Sequence, residues 1–464
     1  QHIQWEEDFD ALRYLEYVFT IDRGRELLQI QSADVDLAWY RQQVASLTPD
    51  LLATIVFTSG STGNSKGVML SHRNFLWNLA DTKAVLPLKG SVRSIVCLPL
   101  AHSLQRFVVY RAFVEDIEGY FAPSLNAIKE TLVETKPTLL IAVPRMLEKI
   151  QNMVYQQAGQ RSSTAEKMVR WAIEVGWKIR EHQAHERRVP LRLRAQYALL
   201  DRVVLSKIRA RLGGSLQTII SGGAALNDHT AKFFMALGMD VVEGWGLSES
   251  CAPATLNTQG VLKLGSVGQA MPSVDLGISD HSEVLLKGAG IFSGYYGMDS
   301  SVAFDADGFF KTGDLGMLDA DGFLYITGRS KDIIVTAGGK NIAPRRIESK
   351  IEGDLIHHCI AVGDEQPYLV GLIALDEAYL ENLATNNGWS GDFAQWSIQS
   401  MVQQMVQERV DVANTHLASF EQLKRVAILP VPLTESDGLL TSTQKIKRAV
   451  ILQRFKSVWE KLYL

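Results

Sequence analysis

Short apolar runs alternate with amphipathic helical stretches through the first two-thirds of this chain, and that alternation limits the fold more than any other feature. Leu52–Phe57 (LATIVF) reads as a buried strand and Val92–Leu98 as a second. Leu125, Ile128, Leu132 and Val133 keep helical spacing behind Ser124, and Pro137 stops them. Thr138–Val143 (TLLIAV) is the next strand. Pro144 stands where a helix can start, with Met146, Leu147 and Ile150 along one face. Leu216–Ser221 reads as a strand followed by the turn Gly222-Gly223. Asn227 can cap a helix ending at Gly238, and Met239–Val242 is a further short strand. Repeated strand–helix–strand order calls for a mostly parallel sheet covered by helices. Ligands of such sheets bind at the carboxyl ends of strands, and the glycine loops after Phe57 and Ser221 both fall at such ends.

The character changes near Arg329. Strands Phe323–Thr327 and Asp332–Thr336 flank Gly-Arg-Ser-Lys. A hairpin follows, His358–Val362 and Leu369–Leu375, then a polar helical stretch and a last strand, Val426–Leu429. The fold class is therefore α/β: a large domain over 1–328 with mostly parallel, helix-covered sheets, and a smaller α+β domain over 329–464. Residues 151–211 form a long helical insertion in the large domain. Its part from Lys178 to Arg211 carries ten Lys/Arg against three Asp/Glu. That surplus reads either as a solvated face or as contact with an anionic membrane surface or an acidic partner.

Composition removes several classes. The net charge of −4 gives no global basic field for nucleic acid. No apolar run approaches the roughly 18 residues of a membrane-spanning helix. Cys97, Cys251 and Cys359 form no C-x-x-C pair, so reduced thiols in a cytoplasmic protein are expected. The N-terminus has neither an apolar signal core nor an initiator Met, and an upstream segment is expected to have been lost.

Thr58-Ser-Gly-Ser-Thr-Gly-Asn-Ser-Lys-Gly-Val68 carries the chemistry. Gly60, Gly63 and Gly67 let backbone amides approach a ligand. The hydroxyls of Thr58, Ser59, Ser61 and Thr62 add donors, and Lys66 adds charge. Together they suit a polyphosphate. The spacing is not that of a Walker loop, because Ser65 stands five places after Gly60. Gly288-Ala-Gly290 with Gly294 imitates a dinucleotide fingerprint. The third glycine comes one place late and Tyr295-Tyr296 stands where a helix should begin, so the segment reads as a turn.

Taken together, the motifs resemble the adenylate-forming superfamily of acyl-CoA synthetases, firefly-type luciferases and peptide-synthetase adenylation domains, from about Leu51 to Arg448. Thr58–Val68 looks like its phosphate loop, with Ser65 where proline is usual. Ser221-Gly222-Gly223-Ala224-Ala-Leu226 looks like the adenine-side loop. Gly244-Trp245-Gly246-Leu247-Ser248-Glu249 looks like the Gly-Tyr-Gly-Leu-Thr/Ser-Glu motif. Lys311-Thr-Gly-Asp314 and Gly328-Arg329 match the ribose-binding pair, and Leu440-Thr-Ser-Thr-Gln-Lys445 matches the catalytic-lysine loop. The resemblance implies ATP and Mg²⁺, with the metal at Glu249. It also implies ribose hydroxyls on Asp314, and Lys66 and Lys445 against charge that develops during adenylation. Read alone, Lys445 is a solvated lysine beside Lys447 and Arg448 and Trp245 is a core aromatic, while Arg329 can also be a surface interdomain ion-pair partner.

Pro99–Arg106, Val143–Lys149 and Thr336–Pro344 narrow the resemblance to long-chain fatty acyl-CoA synthetases, with CoA as co-substrate and Gln105 where that branch often has Glu. His102 matches an acyl- and thiol-site histidine, and a core or capping histidine is an equal reading. The small domain is then a lid that turns about Lys331-Asp332. Lys445 leaves, and the loop Gly338-Gly339-Lys340 comes in to shape the thiol's approach. The expected reaction converts fatty acid, ATP and CoA to acyl-CoA, AMP and pyrophosphate, in a cytoplasmic enzyme peripheral at a membrane. Acyl carrier protein in place of CoA, and a truncated non-catalytic nucleotide or acyl binder, are the alternatives. The second arises because only about fifty residues precede the phosphate loop, where the family has a large segment.

Overall fold

A computed structural model describes residues 37–58, 66–88, 90–122, 127–261, 263–353, 355–441 and 445–464. Residues 1–51 and 52–464 form two compact units. The first contains helix α1 (Leu37–Ser46), and the second carries the other described elements.

The second unit begins with an antiparallel hairpin of β1 (Leu52–Thr58) and β2 (Lys66–Ser71), with Thr58 opposite Lys66. Here the expectation of a buried strand fails. Only Val56 of β1 is buried, and Leu52 and Phe57 are exposed. The reason is pairing: β1 joins β2 alone rather than a parallel sheet. The phosphate-loop segment therefore connects the arms of a hairpin instead of following a parallel strand, and residues 59–65 lie outside the described residues. Ser71 then opens α2 (His72–Val85) with a reciprocal cap, its side chain accepting from the Asn74 amide while Asn74 returns a bond to the Ser71 backbone.

A seven-stranded sheet follows. Its spatial order is β4 (Glu118–Phe121), β3 (Arg93–Val96), β5 (Leu139–Ala142), β6 (Thr218–Ser221), β7 (Asp240–Trp245), β8 (Thr255–Leu256) and β9 (Gln269–Ala270). The first five are parallel and the last two antiparallel. Helices make the crossovers: α3 (Ser103–Glu115), α4 (Ile128–Thr135), α5 (Pro144–Arg161) and, before β7, α9 (Asp228–Ala236). Pro144 occupies the first turn of α5 and Asn227 caps α9, as the sequence predicts. The inner stripe of α4 is Ile128, Thr131 and Leu132. Val133, expected on that stripe, is 47% exposed because it falls one place beyond it, while Ser124 and Leu125 lie outside the described residues.

Strand periodicity divides the core. Ile95, Leu140 and Ile219 face one helical layer that includes Phe233 and Phe234 of α9. Val92, Leu139 and Ile141 join Leu79 of α2 and Phe107 and Val108 of α3 in another cluster. The basic insertion is helical as expected: after α5 come α6 (Ser163–Ala184), α7 (Leu191–Leu200), a π-helical turn at Asp201–Leu205 and α8 (Ser206–Arg211). Part of its charge is paired, Lys178 with Glu174, Arg180 with Asp240 and Arg209 with Asp201.

Beyond it, β10 (Val274–Ile278), β11 (Glu283–Gly288), β12 (Phe310–Leu318) and β13 (Leu324–Arg329) make an antiparallel meander. The Gly288–Gly294 segment is a turn, with no helix after it. The strand expected at Asp332–Thr336 shrinks to β14 (Ile334–Val335), paired with β15 (Asn341–Ile342), because Ser330–Asp332 closes into a 3₁₀ turn. Helix α10 (Pro344–Ile351) leads to the expected hairpin of β16 (Ile356–Val362) and β17 (Leu369–Leu375). The last strand, β18 (Leu423–Ile428), lies parallel to β17. The buried clusters formed by residues 334–455 share no member with those formed by 56–324. The architecture is thus a large α/β domain followed by a smaller C-terminal α+β domain.

Candidate active site

At the carboxyl end of β7 the chain enters Gly244-Trp245-Gly246. A Cβ on Gly246 would stand 2.2 Å from the Ala252 carbonyl oxygen, so only glycine fits this turn. The following 3₁₀ turn, Ser248–Ser250, buries Glu249. The Tyr295 hydroxyl donates to Glu249 Oε1 at 2.8 Å, and the Lys66 ammonium lies 4.8 Å from the centre of the Tyr295 ring. Burial first, then the Glu249 charge, pushes the Tyr295 phenol up, so it stays a donor. Backbone bonds from Met69 to Gly294 and from Tyr296 to Gly67 fix β2 against this segment. Lys66 and Glu249, far apart in sequence, therefore meet through a tyrosine that the sequence marked only as part of a turn.

The adjacent loop leaves β6 at Gly222-Gly223. Gly222 faces the Gly244 carbonyl and Leu104 of α3, Gly223 has a positive φ of 84°, and Ala224 is exposed. The Ser103 and Ser248 hydroxyls lie 3.4 Å apart, tying the start of α3 to the same place. Glu243 stands between the two loops, opposite Ser221 in the ladder, and is buried. Loss of hydration raises its carboxyl to about 8; the Leu226 amide opposes this and Asp228 adds to it. The sequence reading passed over Glu243, although a carboxylate inside the apolar run Val-Val-Glu-Gly-Trp was a visible signal.

Asp314 and Arg329 are ladder partners on β12 and β13. Arg329 Nε donates to Asp314 Oδ1 at 2.8 Å, and the Trp245 indole donates to Oδ2 at 2.9 Å. The carboxylate is buried, yet each oxygen keeps a further lone pair for a hydroxyl. Trp245 packs against two of the buried clusters, as the core-aromatic reading expects, and its N–H is committed to Asp314.

Lys445 reaches the same place. The residue is exposed. Its pKa is lowered by partial loss of water and by the Arg329 charge, with Asp314 pulling the other way. The pKa of His102 is also lowered, by burial and then by Lys445. His102 is the N-cap residue of α3, its carbonyl accepting from the Arg106 amide while its side chain makes no capping bond. Behind Lys445, Arg448 pairs with the buried Glu348 of α10 and donates to the Ala361 carbonyl.

Other expected residues lie elsewhere. Gly338, Gly339 and Lys340 are exposed, and the Lys340 ammonium lies 5.7 Å from the Phe420 ring centre. Lys331 and Asp332 occupy the 3₁₀ turn after β13. Gln105 is buried, its carbonyl accepting from the Leu98 amide, while Arg106 reaches Thr54. Ser59, Gly60, Ser61, Thr62 and Gly63 lie outside the described residues. Thr58, beside them, bonds to the Lys66 carbonyl at 3.4 Å.

An apolar pocket lies between the parallel sheet and α3. Val96, Leu139, Ile141 and Ile220 line it from the sheet, and Leu104, Phe107 and Val108 from α3. Among the described residues no group of three or more His, Cys, Asp or Glu could hold a metal ion, so Glu249 alone offers no metal cage. That fits Mg²⁺, which is commonly held by one or two carboxylates together with substrate phosphates and water.

The AMP-binding enzyme family model matches residues 4–296, and the AMP-binding enzyme C-terminal domain matches 331–464. The chain belongs to the AMP-binding enzyme family. It is 36% identical over 482 residues to the long-chain-fatty-acid–CoA ligase FadD15 of Mycobacterium tuberculosis, covering 99% of this chain and 79% of that one. It is 30% identical over 505 residues to the long-chain-fatty-acid–CoA ligase ACSBG2 of Gallus gallus, covering 99% and 64%. Its fold matches that of o-succinylbenzoate CoA synthetase from Bacillus subtilis in complex with its acyl-adenylate intermediate. The TM-score is 0.61 at 20% identity, over 87% of this chain and 69% of that one. The adenylation domain of a carboxylate reductase from Mycobacterium chelonae gives a TM-score of 0.68 at 20% identity, over 90% and 61%.

Proposed function

We propose that this chain activates a long-chain fatty acid with ATP and transfers the acyl group to CoA. A carboxylate oxygen attacks the α-phosphorus and pyrophosphate leaves. The CoA thiol then attacks the acyl carbonyl and AMP leaves. The observation that carries this reading is the meeting of Trp245 and Arg329 on the buried Asp314, with Lys445 close enough to feel the charges of both Arg329 and Asp314.

In this reading Asp314 accepts from the ribose hydroxyls and Arg329 orients that carboxylate. Trp245 stands beside adenine between the Gly222-Gly223 and Gly244–Gly246 loops, with Leu247 and Ser248 completing the turn. Lys445 offsets negative charge between carboxylate and α-phosphate as both approach. Glu249, held by Tyr295, would hold Mg²⁺, which when bound offsets the charge on the phosphates. Lys66 and the loop around it would take the β- and γ-phosphates. Fatty-acid-dependent ATP–pyrophosphate exchange tests the reading, and folded protein that exchanges with no acid of any length overturns it.

Three finer readings belong here. The boundary falls near 329–332, with Lys331-Asp332 as the hinge of the C-terminal domain. After adenylation Lys445 withdraws and the Gly338-Gly339-Lys340 loop, with His102, faces the thiol. The helical insertion docks on an anionic membrane: Arg187, Arg188, Arg192 and Arg194 are exposed beside Leu191, which is 80% exposed. No helix among the described residues is long and apolar enough to cross a membrane, so contact would be at the surface. Sedimentation with phosphatidylserine vesicles should fall with salt. Salt-independent sedimentation, or binding to acyl carrier protein instead, would remove the membrane reading.

A further inference from the structure

The C-terminal domain carries two elements that bear on the site on opposite faces of one sheet. Strand periodicity divides β16 and β17. Cys359, Ala361, Leu369 and Ile373 pack with Ile347 and Ile351 of α10. Ile360, Val362, Val370 and Leu372 pack with Leu439, Leu440 and Ile451. The second face holds the arm that bears Lys445. Leu440 pairs with Ile446 at the base of that arm, the Thr441 amide donates to the Lys445 carbonyl at 2.8 Å, and the Lys445 amide donates to the Thr441 hydroxyl at 3.1 Å. The first face holds α10, and α10 meets the large domain. A Cβ on Gly328 would stand 3.0 Å from that of Ala343, the residue before α10, so the chain entering this helix lies directly on β13 beside Arg329.

An ion pair crosses from face to face around the sheet edge. β16 is an edge strand, and an edge leaves backbone groups unpaired. At Ala361 both groups are taken: the amide donates to Glu348 Oε1 at 2.9 Å, and the carbonyl accepts from Arg448 Nη1 at 2.9 Å. Arg448 Nη2 donates to the same Glu348 oxygen and closes the clasp. Glu348 belongs to α10, and Arg448 opens the helix Arg448–Arg454, three residues after Lys445. The two side chains are 1% and 16% exposed. Apolar packing on either face is not directional, whereas the guanidinium fork fixes direction as well as distance. Three residues of chain span at most about 10 Å, so Lys445 stays close to the clasp. The seat of α10 on β13 is thereby linked to the place of Lys445 beside Arg329 and Asp314.

We propose that the Glu348–Arg448 clasp positions Lys445 at the Asp314–Arg329 site, by tying the arm that bears the lysine to the helix seated on the large domain. The proposal rests on the adenylation reading above. Both residues are positioning residues that act through Lys445 and touch neither substrate nor metal. A cation that offsets charge between carboxylate and α-phosphate works only from a fixed place, and a misplacement of about 1 Å can cost roughly a hundredfold in rate. Acyl transfer from a preformed adenylate, after Lys445 has withdrawn, needs no such placement. The clasp therefore serves one half-reaction and not the other.

Removing one partner alone strands a buried charge, so two milder variants carry the test. Arg448→Lys keeps a cation beside Glu348 but has no fork to hold the carboxylate and the Ala361 carbonyl together. Glu348→Gln combined with Arg448→Met removes both charges and leaves an acceptor for the Ala361 amide. In each, kcat for fatty-acid-dependent pyrophosphate exchange should fall by roughly tenfold or more while KM for ATP stays unchanged. Thioester formation from supplied acyl-adenylate should continue at the wild-type rate. Either variant decides the matter should the other not fold. In a folded variant, exchange at the wild-type rate or a loss confined to KM overturns the proposal. Equal loss in both half-reactions also overturns it, because a merely structural pair would weaken both. Wild-type protein that exchanges pyrophosphate with no acid overturns the functional reading itself, which keeps the two failures apart.

Discussion

Replacing Glu243 by glutamine should change how the stability of this protein depends on pH. Glu243 is 8% exposed, and its carboxyl is raised from its ordinary 4.5 to about 8, chiefly because burial strips the charged form of water. A carboxyl raised in the folded state binds a proton more tightly there than in the unfolded chain. Its contribution is therefore fully present below about pH 4.5 and is lost as pH rises through about 8. At about 1.4 kcal/mol per pH unit the whole window is worth about 5 kcal/mol. Between about pH 6 and about pH 8 the loss is about 2 kcal/mol. Glutamine keeps the shape, can still accept from Leu226, and does not ionise. Urea unfolding of wild type and Glu243→Gln across this range should give midpoints that agree at the acid end and separate toward alkaline pH, with the variant the more stable. Parallel pH profiles would refute the reasoning, since they would mean that the carboxylate is as well solvated between the glycine loops as in the unfolded chain.

Lys445→Ala should cripple acid-dependent pyrophosphate exchange while leaving thioester formation from supplied acyl-adenylate largely intact; equal loss in both assays would contradict domain rotation. Tyr295→Phe removes the hydroxyl that holds Glu249, a bond worth about 1 kcal/mol. It should raise the Mg²⁺ concentration needed for half-maximal exchange several-fold, and an unchanged Mg²⁺ titration would separate Glu249 from the metal. Arg448→Met leaves Glu348, 1% exposed, without its cation, and should cost about 3–5 kcal/mol in unfolding experiments. A variant as stable as wild type would refute that cost.

Local pattern carried much of this protein in its sequence. Short apolar runs, Pro144 and Asn227 at helix starts, and the helix stop before Pro137 are decided within a few residues. So is the need for glycine at Gly246, where the chain doubles back on itself within six residues. The order of the motifs and their resemblance to a family came from the same local information. Pairing is not local. Apolar character in Leu52–Phe57 could not say whether its neighbour would be a parallel sheet or the next strand in the chain, and the hairpin won. Tertiary structure alone joined Lys66, Tyr295 and Glu249 across more than two hundred residues, and turned Trp245 toward Asp314. It alone stripped Glu243 of water, because burial depends on what the other strands bring. The pocket beside α3 shows the division most plainly: the stripe from Leu104 to Arg111 is visible in the sequence as helical spacing, but only the sheet packed opposite it makes that stripe a pocket wall.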